Sequence, residues 1–463
     1  EKWGHMTEDP AAAGNDRWKA VLTEGPVGRT LARLTVPMVA GIVGMVAFNL
    51  TDTFFVGRLG TTELAALSFT FPFVLVLVRF TLGLGIGASA LVSRAVGRGD
   101  AYAVRRITTD SLALALLVVI VCLALGFPLM GPVFRALGAR GEIFPLVKTY
   151  MSIWLGGLLF VFFPMVSNNA IRANGDTKTP AMIMLTAVVA NVILDYLLIF
   201  GIGPFPKLGL AGAALATVIS RMITFALSFY IVHFRMKMLT FERVPFSEVL
   251  ASWKRILYIG IPAASTRVIA PIGIGVITGL IARGGPKGVA AFGVATKVEF
   301  FAIAVVFALS SVLNPFTGQN WGAARNERVK KGISLGTRFA FFWGLGMFAG
   351  LAIFARPVAA IFSRDPEVIS AIVLYMRTVA GAYCMYGVFV ISSLVLNVLH
   401  RPIHAGILAA GQSFALSVPL AWLGMRLVGL KGIFAGIAIS YIIAGFLAWL
   451  VLRRVVSRLE ERG

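Results

Sequence analysis

Charge is scarce in this sequence. Only 13% of its 463 residues are Asp, Glu, Lys or Arg, against about 25% in an ordinary soluble domain. A chain so poor in charge and 58% hydrophobic cannot cover itself with polar surface in water, so lipid is its solvent. Cysteine is nearly missing. Cys122 and Cys384 both lie in apolar runs, which leaves no basis for a disulfide framework or a thiolate metal site. The four histidines, His5, His233, His400 and His404, are scattered, and no His/Glu metal box or Ser-His-Asp arrangement stands out. There is no phosphate-cradling Walker loop, so an ATP-driven pump does not fit. Gly83-Leu84-Gly85-Ile86-Gly87 lies inside an apolar run and reads as a helix-packing face. Acids are outnumbered by bases, 20 to 42. Such an excess can mark a nucleic-acid binder, but here the bases sit in short clusters between apolar runs, where they face anionic headgroups. The expected partner is the lipid bilayer, with no nucleic acid.

What is present is a succession of apolar runs, each long enough for the roughly 20 residues a span requires. They predict an all-α membrane protein with twelve transmembrane helices near 31–57, 64–92, 107–131, 144–171, 180–201, 208–233, 254–283, 289–316, 333–356, 368–397, 403–426 and 430–452. Residues Glu1–Met6 read as the remnant of an expression tag, with Met6 the native start, and 1–28 as a polar cytoplasmic tail. Basic residues concentrate in alternate loops (Arg94, Arg98, Arg105 and Arg106 in one, Arg325, Arg328, Lys330 and Lys331 in another). The positive-inside rule then puts both termini in the cytoplasm of a bacterial or archaeal inner membrane.

The chain also repeats itself. Pro37 and Pro262, Gly97 and Gly322, Arg105-Arg106 and Lys330-Lys331, and Tyr150-Met151 and Tyr375-Met376 recur at a spacing of about 225 residues, the signature of an internal repeat. A repeat of six spans keeps its orientation. The expectation is two six-helix lobes related by a pseudo-two-fold axis along the membrane normal, around a central cleft that opens alternately to each side. The first lobe is 29–236, the cytoplasmic linker 237–253, the second lobe 254–456 and the tail 457–463.

Carboxylates within spans are costly, about 2.5–3.5 kcal/mol at a helix centre, and this chain has few. Asp52 in the first span and Asp195 in the fifth reach similar depth in one lobe. Asn49 shares a helix face with Asp52, and Asn191 shares one with Asp195. Two carboxylates with amide oxygens make an oxygen-rich chamber that suits Na⁺, and it suits a proton equally well. Their repeat counterparts fall near Ile277 and Leu420, so the site is one-sided. The second lobe carries Arg267, Lys297 and Glu299, of which Arg267 and Glu299 sit at a depth where they can pair. Arg79, Arg172 and Arg221 read as structural, near span ends or snorkelling. Asn168 and Asn169 close the fourth span and can face the cleft. Pro37 can kink the first span and serve as a hinge.

These residues resemble a family. Leu34-Thr35-Val36-Pro37, the run Asn49–Gly60, the segment Val166–Pro180, Asn191–Gly201 with Gly209–Ser220, and Gly318-Gln319-Asn320-Trp321-Gly322-Ala323 look like multidrug and toxic compound extrusion (MATE) transporters, of the DinF-like bacterial branch. The resemblance covers nearly all of Leu31–Arg458. It implies a monomeric, non-enzymatic antiporter that exports amphipathic, often cationic drugs in exchange for H⁺ or Na⁺, with no other cofactor. It also implies that Asp52, Asp195, Asn191 and Thr217 form the cation site, holding the metal ion if that ion is Na⁺, and that Asn168, Phe48 and Asn49 line the substrate pocket. Phe48 stands where relatives of that branch often have Tyr. The absence of an acid in Tyr258–Ala282 separates the chain from the other bacterial branch. Two alternatives are a lipid-linked oligosaccharide flippase of the same superfamily, which predicts a more strongly cationic cleft, and a polytopic membrane enzyme, whose His or paired-acid motif is not found.

Overall fold

The computed structural model describes residues 20–136 and 139–457, apart from the side chains of Ala47, Asn49, Leu50 and Thr61. The expected tag remnant and most of the expected tail lie outside the described residues. Among the described residues, eleven helices are long and apolar enough to span a membrane, and a bent pair makes a twelfth. We number them α1 (Val27–Gly57), α2 (Thr61–Gly97), α3 (Ala101–Ala136), α4 (Ile143–Gly156 with Leu158–Ala173), α5 (Lys178–Phe200), α6 (Leu210–Arg235), α7 (Phe246–Ala282), α8 (Pro286–Gly322), α9 (Asn326–Phe362), α10 (Pro366–Val398), α11 (Pro402–Val428) and α12 (Leu430–Ser457). Two lobes of six helices, α1–α6 and α7–α12, meet along a seam where α2 packs on α7 and α8 and α1 packs on α8.

Two of the breaks repeat between lobes. α4 bends by 48° at Gly157, and α10 is interrupted by a tight turn at Ala380–Ala382. Gly156 and Gly381 stand at the repeat spacing, and a glycine on the helix lowers the cost of the break. α1 runs through Pro37 as one helix. The expected linker is partly helical, because α7 already begins at Phe246, with Pro245 as its N-cap and Glu248 in its first turn. The non-helical remainder is strapped to α3: Thr240 N donates to Thr109 Oγ1 (3.0 Å), and Trp253 Nε1 on α7 donates to Asp110 O (2.9 Å).

Glycines let the lobes touch backbone to backbone. A Cβ on Gly83 or Gly87 would lie 2.5 Å from the carbonyl oxygen of Gly260 or Ile256, and Gly97 and Gly322 leave no room for one against Gln319 O and Arg94 O. These last contacts close the face of the molecule that carries both termini. Over them sits the segment preceding α1. Leu22 is fully buried; its N–H donates to Gln319 Oε1 (3.2 Å) and its carbonyl accepts from Asn320 Nδ2 (3.1 Å). Arg325 and Arg328 donate to Thr23 O (2.7 Å) and Gly25 O (2.8 Å), while Gln319 Nε2 reaches across the seam to Ala173 O (2.7 Å). The run Gly318–Ala323 thus helps to close the lobes together on this face.

His400, in the turn between α10 and α11, belongs to this seal. Arg94 lies 4.1 Å over the Trp321 ring, and His400 packs against that ring at 5.6 Å. Burial, with the charges of Arg94, Arg255 and Arg98, lowers the His400 pKa to about 4. A histidine held neutral in the folded state contributes stability above its ordinary pKa of about 6.5, and that contribution is lost as pH falls toward the folded value. Thermal unfolding at a series of pH values should therefore show a Tm that falls between pH 6.5 and 4, and His400→Gln should flatten that part of the curve. Identical profiles would remove His400 from the seal.

Candidate cation and substrate site

The first lobe brings its two expected acids together. Gly41 and Gly44 on α1 face Ala181, Met184 and Leu185 of α5, where a Cβ on Gly44 would lie 2.9 Å from the Leu185 side chain. The close approach sets α1 and α5 side by side and parallel. Asp52 and Asp195, each near the end of its helix, then share the half of the lobe remote from the terminus face. Asp195 and Asn191 are fully buried and Thr217 on α6 nearly so. The Asp52 and Asp195 carboxylates are close enough for their charges to act on each other and on the phenol of Tyr150. Both oxygens of Asp195, both amide atoms of Asn191 and Oδ1 of Asp52 are buried without a hydrogen-bond partner.

Buried polar atoms are satisfied in well over nine cases of ten, so five unsatisfied atoms on three neighbouring side chains call for something more. The donor set is hard oxygen, which fits a small hard cation, and the paired acids fit a proton. Among the described residues no group of three His, Cys, Asp or Glu assembles, so the amide and hydroxyl oxygens would have to complete any metal shell.

The remaining expected residues divide. Asn168 is 9% exposed, with Oδ1 unpartnered. Phe48 is buried rather than open, and Arg221 lies over its ring at 5.3 Å. The side chain of Asn49 lies outside the described residues. Lys297 is exposed. Arg267 and Glu299 form no ion pair among the described residues. Glu299 instead accepts from the hydroxyls of Tyr375 (2.7 Å) and Tyr441 (3.0 Å), with Tyr383 beside them and Tyr386 stacked on Tyr441 at 4.3 Å. Tyrosine donors spare the buried acid without a counter-charge.

Two features escaped the sequence reading. One is Tyr150, whose counterpart Tyr375 serves the acid of the other lobe. The paired Tyr-Met motif was visible, but not its meaning. The other is the arginines. Arg79 lies at the middle of α2 and Arg267 at that of α7, away from span ends, and their charges act on one another together with that of Arg172. Arg79 also lies near Tyr386 of the opposite lobe. Their helices, α2 and α7, pack on each other at the seam between the lobes.

The MatE family model matches residues 37–197 and 262–423, one match per lobe. An FAD transporter of Shewanella oneidensis is 36% identical over 434 residues, spanning 94% of this chain and 96% of that protein. A probable multidrug resistance protein NorM of Thermotoga maritima is 24% identical over 344 residues, 74% of each chain. Among solved structures, the Vibrio cholerae MATE transporter VcmN in its bent form superposes with a TM-score of 0.88 at 28% identity, covering 94% of this chain and 98% of that one. Two matched halves, twelve spans, two lobes and a near full-length relative at this identity make the chain a multi-pass membrane protein of the MATE transporter family.

Proposed function

We propose that the protein is a cation-coupled exporter that works by alternating access, with Asp52 and Asp195 as its coupling site. The observation that supports this is the cluster of unpartnered buried oxygens on Asp52, Asn191 and Asp195. The concentration of basic residues on the terminus face supports a cytoplasmic position for both ends, in a cytoplasmic membrane. The seal on that face then makes the present arrangement closed to the cytoplasm. In the cycle, cargo enters from the cytoplasm or inner leaflet while the seal is open. H⁺ or Na⁺ binding from outside neutralises Asp52 and Asp195, Asn191 and Thr217 complete the shell, and α1 bends or straightens at Pro37 as the lobe reshapes and cargo leaves. The ion contributes ~2.3 kcal/mol per charge at 100 mV. A monomer suffices, since each chain carries both lobes.

The names of relatives suggest two cargo classes: drugs, as for NorM and the multidrug export protein MepA, and a flavin dinucleotide, as for the Shewanella protein. The higher identity, over nearly the whole chain, favours the second. The test is efflux of ethidium, norfloxacin and FAD from proteoliposomes under separate Na⁺ and pH gradients, with wild type and Asp52→Asn. Wild type should respond to one of the gradients and the variant to neither. Gradient-driven efflux that survives in Asp52→Asn takes this acid out of the mechanism.

A further inference from the structure

Three arginines gather at the seam. Arg79 on α2 lies one turn before Gly83, which packs on Gly260 and Ala264 of α7, one turn before Arg267; Arg172 on α4 is held by Asn169, whose side chain packs on Gly85 of α2, and the charge of Arg267 feels both of the others. Each keeps a partly exposed side chain although its helix is a span. Arg172 donates to Asn169 Oδ1 (2.8 Å), a neutral partner. None of the three has a carboxylate partner among the described residues. The acids of the spans lie elsewhere: Asp52 and Asp195 in the half of the first lobe remote from the terminus face, Glu299 with its tyrosines. One turn before Arg172, on the same face of α4, Asn168 is nine-tenths buried with its amide oxygen unpartnered.

Like charges gathered in a poorly hydrated space repel one another, and each also loses hydration worth several kcal/mol when it leaves water. A fold keeps such a group where a ligand of opposite sign compensates it. A cationic drug would add to the repulsion. A carboxylate could pair with one guanidinium; three converging forks match the several oxygens of a phosphate ester, which Arg binds two at a time. We propose that Arg79, Arg172 and Arg267, with Asn168, form an anion site between the lobes, and that the cargo is an organic phosphate or pyrophosphate. The inference rests on the reading of the cleft as the transport path and names the class of molecule that it takes. A soluble nucleotide-like ester and a lipid-linked phosphate share this chemistry.

Equilibrium binding tests it without any gradient. With protein in nanodiscs of neutral lipid, the anisotropy of FMN and of riboflavin compares two ligands that differ by one phosphate. FMN should bind at least about tenfold more tightly than riboflavin, as expected for charge-assisted hydrogen bonds, and more weakly as salt rises. Arg267→Gln and Arg79→Gln should bring FMN to the riboflavin level while Tm holds or rises, since each removes a repelling charge, and Arg267→Lys should recover part of the affinity. Undecaprenyl phosphate that displaces FMN at low mole fraction assigns the site to a lipid source, and ADP that does so while the lipid fails assigns it to a soluble one. Equal binding of FMN and riboflavin, FMN binding unchanged in both Gln variants, or failure of FMN, ADP and undecaprenyl phosphate alike overturns the proposal. If phosphate binding holds but gradient-driven efflux fails, the coupling scheme falls and the anion site stands.

Discussion

Asp195→Asn is expected to cost the protein its coupled transport and none of its stability. The side chain is fully buried, neither carboxylate oxygen has a partner, and the Asp52 charge acts on it. A buried unpaired carboxylate is a net expense to the fold, so an isosteric amide that removes one of two repelling charges leaves Tm unchanged or raises it. Transport moves the other way. One charge lost from the exchange forfeits ~2.3 kcal/mol at 100 mV, roughly a 50-fold accumulation ratio. Measured side by side, the Tm of Asp195→Asn in detergent should match or exceed that of wild type while cargo accumulation falls to the level of empty vesicles. A variant that unfolds several degrees earlier would mark Asp195 as a structural residue, and the trade of stability for function would not be there. Asn191 serves as the control: Asn191→Leu removes two unpartnered polar atoms without touching charge, and should weaken the response to the ion while leaving a residual one.

The twelve spans were legible because a span is a statement about composition, and a run of apolar residues keeps its meaning wherever it packs. The lobes were legible because matching residues such as Pro37 and Pro262 record the repeat in the chain itself. Asp52 and Asp195 stood out because acids are expensive in lipid. What escaped was whatever depends on the direction of a side chain. Arg79 and Arg172 read as snorkelling because a basic residue in a span usually escapes toward water at the headgroups; here Arg267 lies near both, and only the packing of α2 on α7 reveals it. Arg267 and Glu299 suggested a pair because their signs and depths suit one, yet tyrosines from α10 and α12 reach the acid first. The break of α4 at Gly157 was invisible for another reason. The apolar run continues across it, and a bend of 48° leaves no gap in hydropathy.

The same geometry makes the closed end of the cleft sensitive to a single added side chain. Gly97 on α2 lies against the backbone of Gln319 on α8, and Gly322 against that of Arg94, so a Cβ at either place would fall well inside contact distance of a carbonyl. Backbone cannot rotate away as a side chain can, and overpacking of this kind costs about 1–3 kcal/mol. The gain in helix propensity on leaving glycine is smaller, a few tenths of a kcal/mol for a β-branched residue. Gly97→Val relieves the clash only by parting α2 from α8, which also pulls Gln319 from Ala173 O and uncovers the segment around Leu22. The fold of each lobe is untouched, so the population shifts toward the state open at the terminus face; a penalty of ~3 kcal/mol moves a two-state ratio by more than a hundredfold. In a background with Cys122 and Cys384 replaced by Ala, a cysteine introduced by Leu22→Cys should resist a hydrophilic maleimide in the parent and react at least tenfold faster once Gly97→Val is added, while transport falls to background because the cycle no longer closes. Gly322→Val should reproduce both effects from the other side of the seam. Unchanged labelling together with normal transport would mean that the lobes tolerate extra bulk there, and that the end sealed by Leu22, Gln319 and Arg328 is not the gate.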